Sequence, residues 1–149
     1  MSGLTIEHLG DIPWQEARPQ MQGGKRVAVH IKQIQRTPER VVLYTRYDPG
    51  LVLERHSHMG DEVIHILEGD LLVGEASCLP GSTIILEKGT PFGPLIAGEQ
   101  GTTILEVFIG PNGTGVTPKD QEGFQRLLDT RGITLLPEPS RSAPLGSQS

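Results

Sequence analysis

A chain of 149 residues with 36% hydrophobic side chains has the length of one ordinary domain and can bury about two thirds of its unfolded surface in a single core. Only 4% of its residues are aromatic, while 19 Gly and 12 Pro make it turn-rich, which favours many short strands over long helices. A formal charge of −5 without clustered Lys or Arg argues against nucleic acid or an anionic membrane as partner, and no apolar run approaches the roughly 20 residues that a bilayer span needs.

The N-terminal MSGLTIEHLGDIPW has neither a cationic start nor an apolar signal core, so the expected location is cytoplasmic. Residues 1–24, with Trp14 among Pro13, Pro19 and Gly23-Gly24, read as a covering arm. A barrel region is expected over 25–116. It opens with KRVAVHIKQIQR, where Val27, Val29 and Ile31 alternate with Ala28, His30 and Lys32 as in a half-buried strand. VVLYTRY (41–47) is a second strand, stopped by Asp48-Pro49-Gly50.

Further strands are expected at Leu51–His56, Glu62–Leu67, Leu71–Val73, Ser82–Leu86 and Thr102–Ile109. Cys78 is the single cysteine, which excludes an intrachain disulfide, and its neighbours read as a turn. Asn112-Gly113-Thr114 reads as a glycine turn rather than a glycosylated sequon. One helix is expected within 117–136, in TPKDQEGFQRLLDT, where Thr117 caps a start at Pro118 and Phe124, Leu127 and Leu128 share a face that packs on the barrel. Residues 137–149 read as a flexible tail. Short strands with turn signals at every junction indicate an all-β antiparallel sandwich or barrel.

The chemistry concentrates in GLVLERHSHMGDEVIHILEG. Residues i and i+2 of a strand share a face, so His56 and His58 project together. The connection Met59-Gly60-Asp61 lets Glu62 return on a neighbouring strand to the same point. Two imidazoles and a carboxylate suit a divalent ion, Fe(II) above all, with coordination positions left open. Asp61 serves as the carboxylate only if the loop is one residue shorter. His65 has the wrong parity when Glu62 points inward, and His8 and His30 read as partly exposed.

The spacing Gly50, five residues, His56, one, His58, three, Glu62, six, Gly69 resembles the first motif of the cupin superfamily at every defining position. The resemblance implies a cupin-type antiparallel β-barrel or jelly roll with one short C-terminal helix, in which His56, His58 and Glu62 are metal ligands. The second cupin motif departs from pattern. Its best placement runs Gly81, Glu87-Lys88-Gly89, Phe92 and Ile96, so that Phe92 stands where the family's final histidine ligand belongs. The ion implied is a divalent metal, with Mn, Ni or Zn as alternatives to Fe(II).

Glu106 interrupts the apolar strand TTILEVFIG. If it points inward it is a fourth oxygen ligand or a general base; if outward it is solvated. Tyr44 and Arg46 share a strand face and either orient an anionic substrate or form a surface pair. The resemblance implies a small metal-binding cupin, with a non-haem dioxygenase acting on an enolisable, diketone-like or phenolic substrate as the leading activity. A nonenzymatic sensor of a small ligand or metal, and a metal-assisted isomerase or cyclase, are the other readings. The expected partners are a small-molecule substrate and a second copy of the chain, in a homodimer joined through Val27–Ile34.

Overall fold

In the segment VVLYTRY every second side chain, Val41, Leu43, Thr45 and Tyr47, is buried, as a strand with one face on a core requires. The structure, a computed structural model, describes residues 3–139. After a 3-10 turn at Leu9–Asp11 come strands β1 (Gln15–Gln22), β2 (Lys25–Arg36), β3 (Arg40–Tyr47), β4 (Val52–Leu53), β5 (His56–His58) and β6 (Glu62–Val73). There follow β7 (Ala76–Cys78), β8 (Thr83–Leu86), β9 (Leu95–Ile109), β10 (Val116–Pro118), helix α1 (Gln121–Arg131) and β11 (Ile133–Leu135).

The main sheet runs β11-β1-β2-β3-β9-β6-β7, with β4 also on β9 and β8 on β6, while β5 pairs with β10. The pairings are antiparallel, and the sheet folds over its own apolar face into a jelly-roll barrel. The long strand β9 is the hinge of this arrangement, since Leu43 and Ile64 flank Glu106 from opposite sides in register. Inside lie Val27, Val29, Leu51, Ile64, Ile66 and Ile104. The fully buried Ile66 and Ile104 each contribute about 1.5–3 kcal/mol through removal from water.

Several expectations are corrected. Residues 15–22 are a sheet strand rather than part of a covering arm: β1 pairs with β2 over Gln15–Gln22. Its apolar signal is hidden by polar residues and by a bulge between Ala17 and Gln20, where Arg18 takes a left-handed φ of 53°. The segment expected at Leu51–His56 divides into β4 and β5, the two expected at 62–67 and 71–73 merge into β6, and β9 begins at Leu95. Cys78 ends a strand rather than a turn.

Helix α1 starts at Gln121, capped by Asp120, whose carboxylate accepts from the Gly123 N–H; Thr117 instead pairs with Ser57 in β10. Leu128 packs with Val52 and Ile133, and Phe124 and Leu127 lie against them, so the helix does seal the barrel flank. Of the tail expected from 137, residues 140–149 lie outside the described residues. Glu138 is placed, and both its carboxylate oxygens accept from the Arg18 N–H at 3.0 Å. Of the stretch Val27–Ile34 expected at a dimer interface, Val29 to Ile31 is flanked within the chain by β1 on one side and β3 on the other, while Lys32 and Gln33 pair with β3 alone.

Candidate functional site

The site is assembled by the turn from β5 to β6. Glycine is needed at position 60 because a Cβ there would overlap the Ile109 carbonyl, and Asp61 holds the turn by accepting from the Lys88 N–H at 2.8 Å. His56 exchanges two main-chain hydrogen bonds with Phe92, of 3.0 and 2.9 Å. Both imidazoles, Glu62 and Glu106 therefore face one cavity of about 220 Å³.

The Nδ1 of His56 lies 2.8 Å from the Glu54 carbonyl and that of His58 3.3 Å from the Thr114 carbonyl. A carbonyl only accepts, so each Nδ1 carries the proton and each Nε2 presents a bare lone pair. The two Nε2 atoms stand 3.1 Å apart. Burial lowers the pKa of both rings, and for His58 burial and then the neighbouring His56 lower it to about 4. Both rings are neutral at pH 7.

Glu62 is 1% exposed, with one oxygen 3.5 Å from His58 Nε2, and neither oxygen has a hydrogen-bond partner of good geometry. Burial, and then the charge of Glu106, raise its pKa well above the ordinary carboxyl value. Glu106 points inward as well. Its pKa is also raised by burial, against the Thr45 hydroxyl, which donates to Oε2 at 2.7 Å. Two buried carboxyls this close hold on to a proton that a solvated pair would release.

Phe92 packs on His56 with ring centroids 4.7 Å apart and lines the cavity, in keeping with its alignment to the missing histidine. Tyr44 and Arg46 do not line this cavity. They alternate with the buried Leu43, Thr45 and Tyr47 and sit on the outer face, where Tyr44 packs against Trp14 and Arg46 donates to the Gln100 carbonyl at 3.0 Å. That corrects their expected role at the pocket. His65 faces away and meets Thr83 Oγ1 at 2.8 Å, His30 meets Asp48 at 2.9 Å, and His8 accepts from the Gly10 N–H.

Sequence reasoning missed Tyr47, Thr45, Arg18 and Arg36, which also line the cavity. Tyr47 has its pKa raised well above the usual phenol value by burial and by the two carboxylates. Thr45 and Tyr47 share the parity of Leu43 and were open to prediction; Arg18 is turned in by the bulge and carried no signal.

The donor chemistry fits a divalent ion. Two nitrogens about 2.1 Å from one ion at roughly 90–109° lie about 3.0–3.4 Å apart, and the observed imidazole separation falls within that range. Backbone carbonyls on the far ring nitrogens are the usual means of fixing ligand tautomers. Two facing lone pairs beside a buried carboxyl pair are unfavourable until a cation or proton lies between them. Among the described residues, however, no three His, Cys, Asp or Glu side chains stand as a completed ligand group; the histidine pair is formed and Glu62 is adjacent to one ring.

An antiparallel jelly roll carrying this histidine pair at its mouth is a cupin. Residues 3–110 match the ChrR cupin-like domain family, and the chain belongs to that family. Among solved structures it is similar to a protein of Methylibium petroleiphilum PM1, provisionally assigned as an acetylacetone dioxygenase, at 12% identity and TM-score 0.61, covering 83% of this chain and 87% of that one. KdgF from Halomonas sp. is similar at 16% identity and TM-score 0.56, covering 80% and 98%. A chain in the complex of Rhodobacter sphaeroides SigE with the anti-sigma ChrR aligns at 18% identity and TM-score 0.52, covering 67% of this chain and 51% of that one. No curated protein sequence matches the chain. Among the described residues no helix is long and apolar enough to cross a membrane.

Proposed function

We propose that the chain is a small metal-binding cupin in which His56, His58 and Glu62 hold a divalent ion and the cavity beside them takes a small organic substrate. One observation carries this reading: the two bare Nε2 atoms, 3.1 Å apart, each fixed in tautomer by a carbonyl behind it. Fe(II) suits two imidazoles and a carboxylate best, with Mn, Ni or Zn as alternatives. The activity to test first is dioxygenase cleavage of an enolisable, diketone-like or phenolic substrate.

When bound, the ion supplies Lewis-acid polarisation of a substrate oxygen and, if redox-active, a site for dioxygen. The chain's own groups do the rest. In its ionised form Glu106 is the proton acceptor for an acidic C–H or O–H of the substrate: Thr45 occupies Oε2, and the raised pKa makes the carboxylate a stronger base. Tyr47, whose phenol stays protonated, is placed to donate to a substrate oxygen. Phe92, Phe108 and Leu43 wall the cavity and limit water.

A second reading, a nonenzymatic sensor, is favoured by the membership in the ChrR cupin-like family, one of whose namesakes occurs in a complex with a sigma factor. A homodimer and a cytoplasmic location belong with either reading as proposals. Metal content of tag-free protein tests the site itself, and a protein with no divalent ion at pH 7.5 after reconstitution lacks the proposed function. Oxygen uptake with pentane-2,4-dione and with catechol then separates the readings, since a sensor consumes none.

A further inference from the structure

The inner cavity opens beside a second one of about 440 Å³, and Arg36 and Thr114 line both. The outer cavity has no histidine or carboxylate in its wall, so it is an approach rather than a reaction site. Arg36 stands at the waist between them.

Its charge is uncompensated, unlike that of the other arginine on the inner cavity. Arg18 Nη2 is paired with Glu54 at 2.5 Å. Among the described residues no carboxylate pairs with Arg36; its Nε donates to Gln33 Oε1 at 2.9 Å, and its Nη groups carry no hydrogen bond. Burial lowers its pKa, but a guanidinium remains cationic in any protein environment. A half-buried cation with free, coplanar N–H donors at the entrance to an apolar pocket is a receptor for a planar anion.

We propose that Arg36 determines specificity by selecting a small monocarboxylate, whose carboxylate group it holds at the waist while the apolar body extends into the inner cavity toward the histidine pair. A single unpaired cation matches a single negative charge, whereas a phosphate dianion would retain an unbalanced charge at a site without a second free cation. Glu62 and Glu106 also line the inner cavity and disfavour an anionic group beside them, so the carboxylate stays at Arg36. This inference rests on the reading of the inner cavity as a ligand site, though not on the metal.

The test uses metal-free protein in EDTA, titrated with hexanoate, hexanamide and hexyl phosphate by calorimetry and by amide shifts of Thr114 and Val116. Hexanoate is expected to bind at least about tenfold more tightly than hexanamide, the amount one charge-assisted bidentate contact supplies. Arg36→Gln should remove that preference, Arg36→Lys should keep part of it, and hexanamide affinity should be the same in all three proteins. The proposal is overturned if hexanoate and hexanamide bind equally or hexanoate not at all, if Arg36→Gln leaves hexanoate affinity unchanged, or if hexyl phosphate binds more tightly than hexanoate. Metal content measured in parallel isolates the two ideas: an Arg36-dependent hexanoate site in a protein that never retains metal upholds this inference and defeats the metal reading, while a metalloprotein without that dependence does the reverse.

Discussion

His56 and His58 bring their Nε2 atoms to 3.1 Å across the mouth of the barrel while each Nδ1 faces a main-chain carbonyl. The arrangement sets two acceptors against each other, and a cation between them converts a repulsion into two bonds. Removing one imidazole removes the site. His58→Ala is therefore expected to lose stoichiometric metal, read by elemental analysis, and to lose the rise in Tm that metal gives the parent. Its far-ultraviolet circular dichroism should be that of the parent, because the core of Ile64, Ile66 and Ile104 contains no ligand. Parental metal content in this variant would remove the histidine pair from the site.

Phe92 forms an isolated antiparallel bridge opposite His56, with its ring against the imidazole. Phe92→His should add a third imidazole and tighten divalent binding by about tenfold or more, about 1.4 kcal/mol. Turnover, where there is any, should fall as an open position closes. Competition against a chromophoric chelator measures the affinity, and an unchanged value would show that position 92 does not face the ion.

The raised carboxyl pKa values imply a pH dependence in metal-free protein. A native state that holds protons more tightly than the unfolded chain loses stability as pH rises from the unfolded value, 4.5, through the native one. Glu106→Gln should flatten this fall and make the variant more stable than the parent at pH 8 but not at pH 4. Denaturant unfolding at both pH values checks it; equal stability at pH 8 would mean that burial does not raise the Glu106 pKa.

His58 acts in the opposite direction. Its pKa is lowered from 6.5 to about 4, so the unfolded chain takes up the proton first and stability falls as pH drops from about 6.5 toward 4. The full loss is about 3 kcal/mol. In metal-free His58→Gln this acid limb should be shallower in a urea midpoint profile between pH 4 and 7, the remainder belonging to His56, whose pKa burial also lowers, and a limb as steep as the parent's would assign it to other groups.

Gly69, the last glycine of the motif, adopts a φ of 72° with the Gly101 carbonyl where a Cβ would lie. Gly69→Ala meets both a left-handed backbone and a main-chain overlap, and should cost more than about 1–2 kcal/mol. Thermal unfolding of the metal-free variant is the measurement, and a Tm within a degree of the parent would mean that the β6 to β9 approach relaxes freely.

Fold class and the histidine pair were legible in the sequence, because both rest on local relations. The i, i+2 spacing fixes that His56 and His58 share a side, the intervals from Gly50 to Gly69 carry the barrel's first motif, and parity along β6 sends His65 away from Glu62. The sequence could not determine which side of a strand faces the core when both sides carry apolar residues. In VVLYTRY, Val42, Tyr44 and Arg46 look as eligible as Leu43, Thr45 and Tyr47, and pairing with β9 alone turned Thr45 inward and Arg46 outward. The same register brought Glu106 beside Glu62 from 44 positions along the chain. Strand β1 was illegible because its polar residues and the bulge at Arg18 break the alternation, so only the fit of Ala17 and Gln20 against β2 defines it. Facing and convergence are set by pairing between distant segments, and spacing along one segment contains no record of its partner.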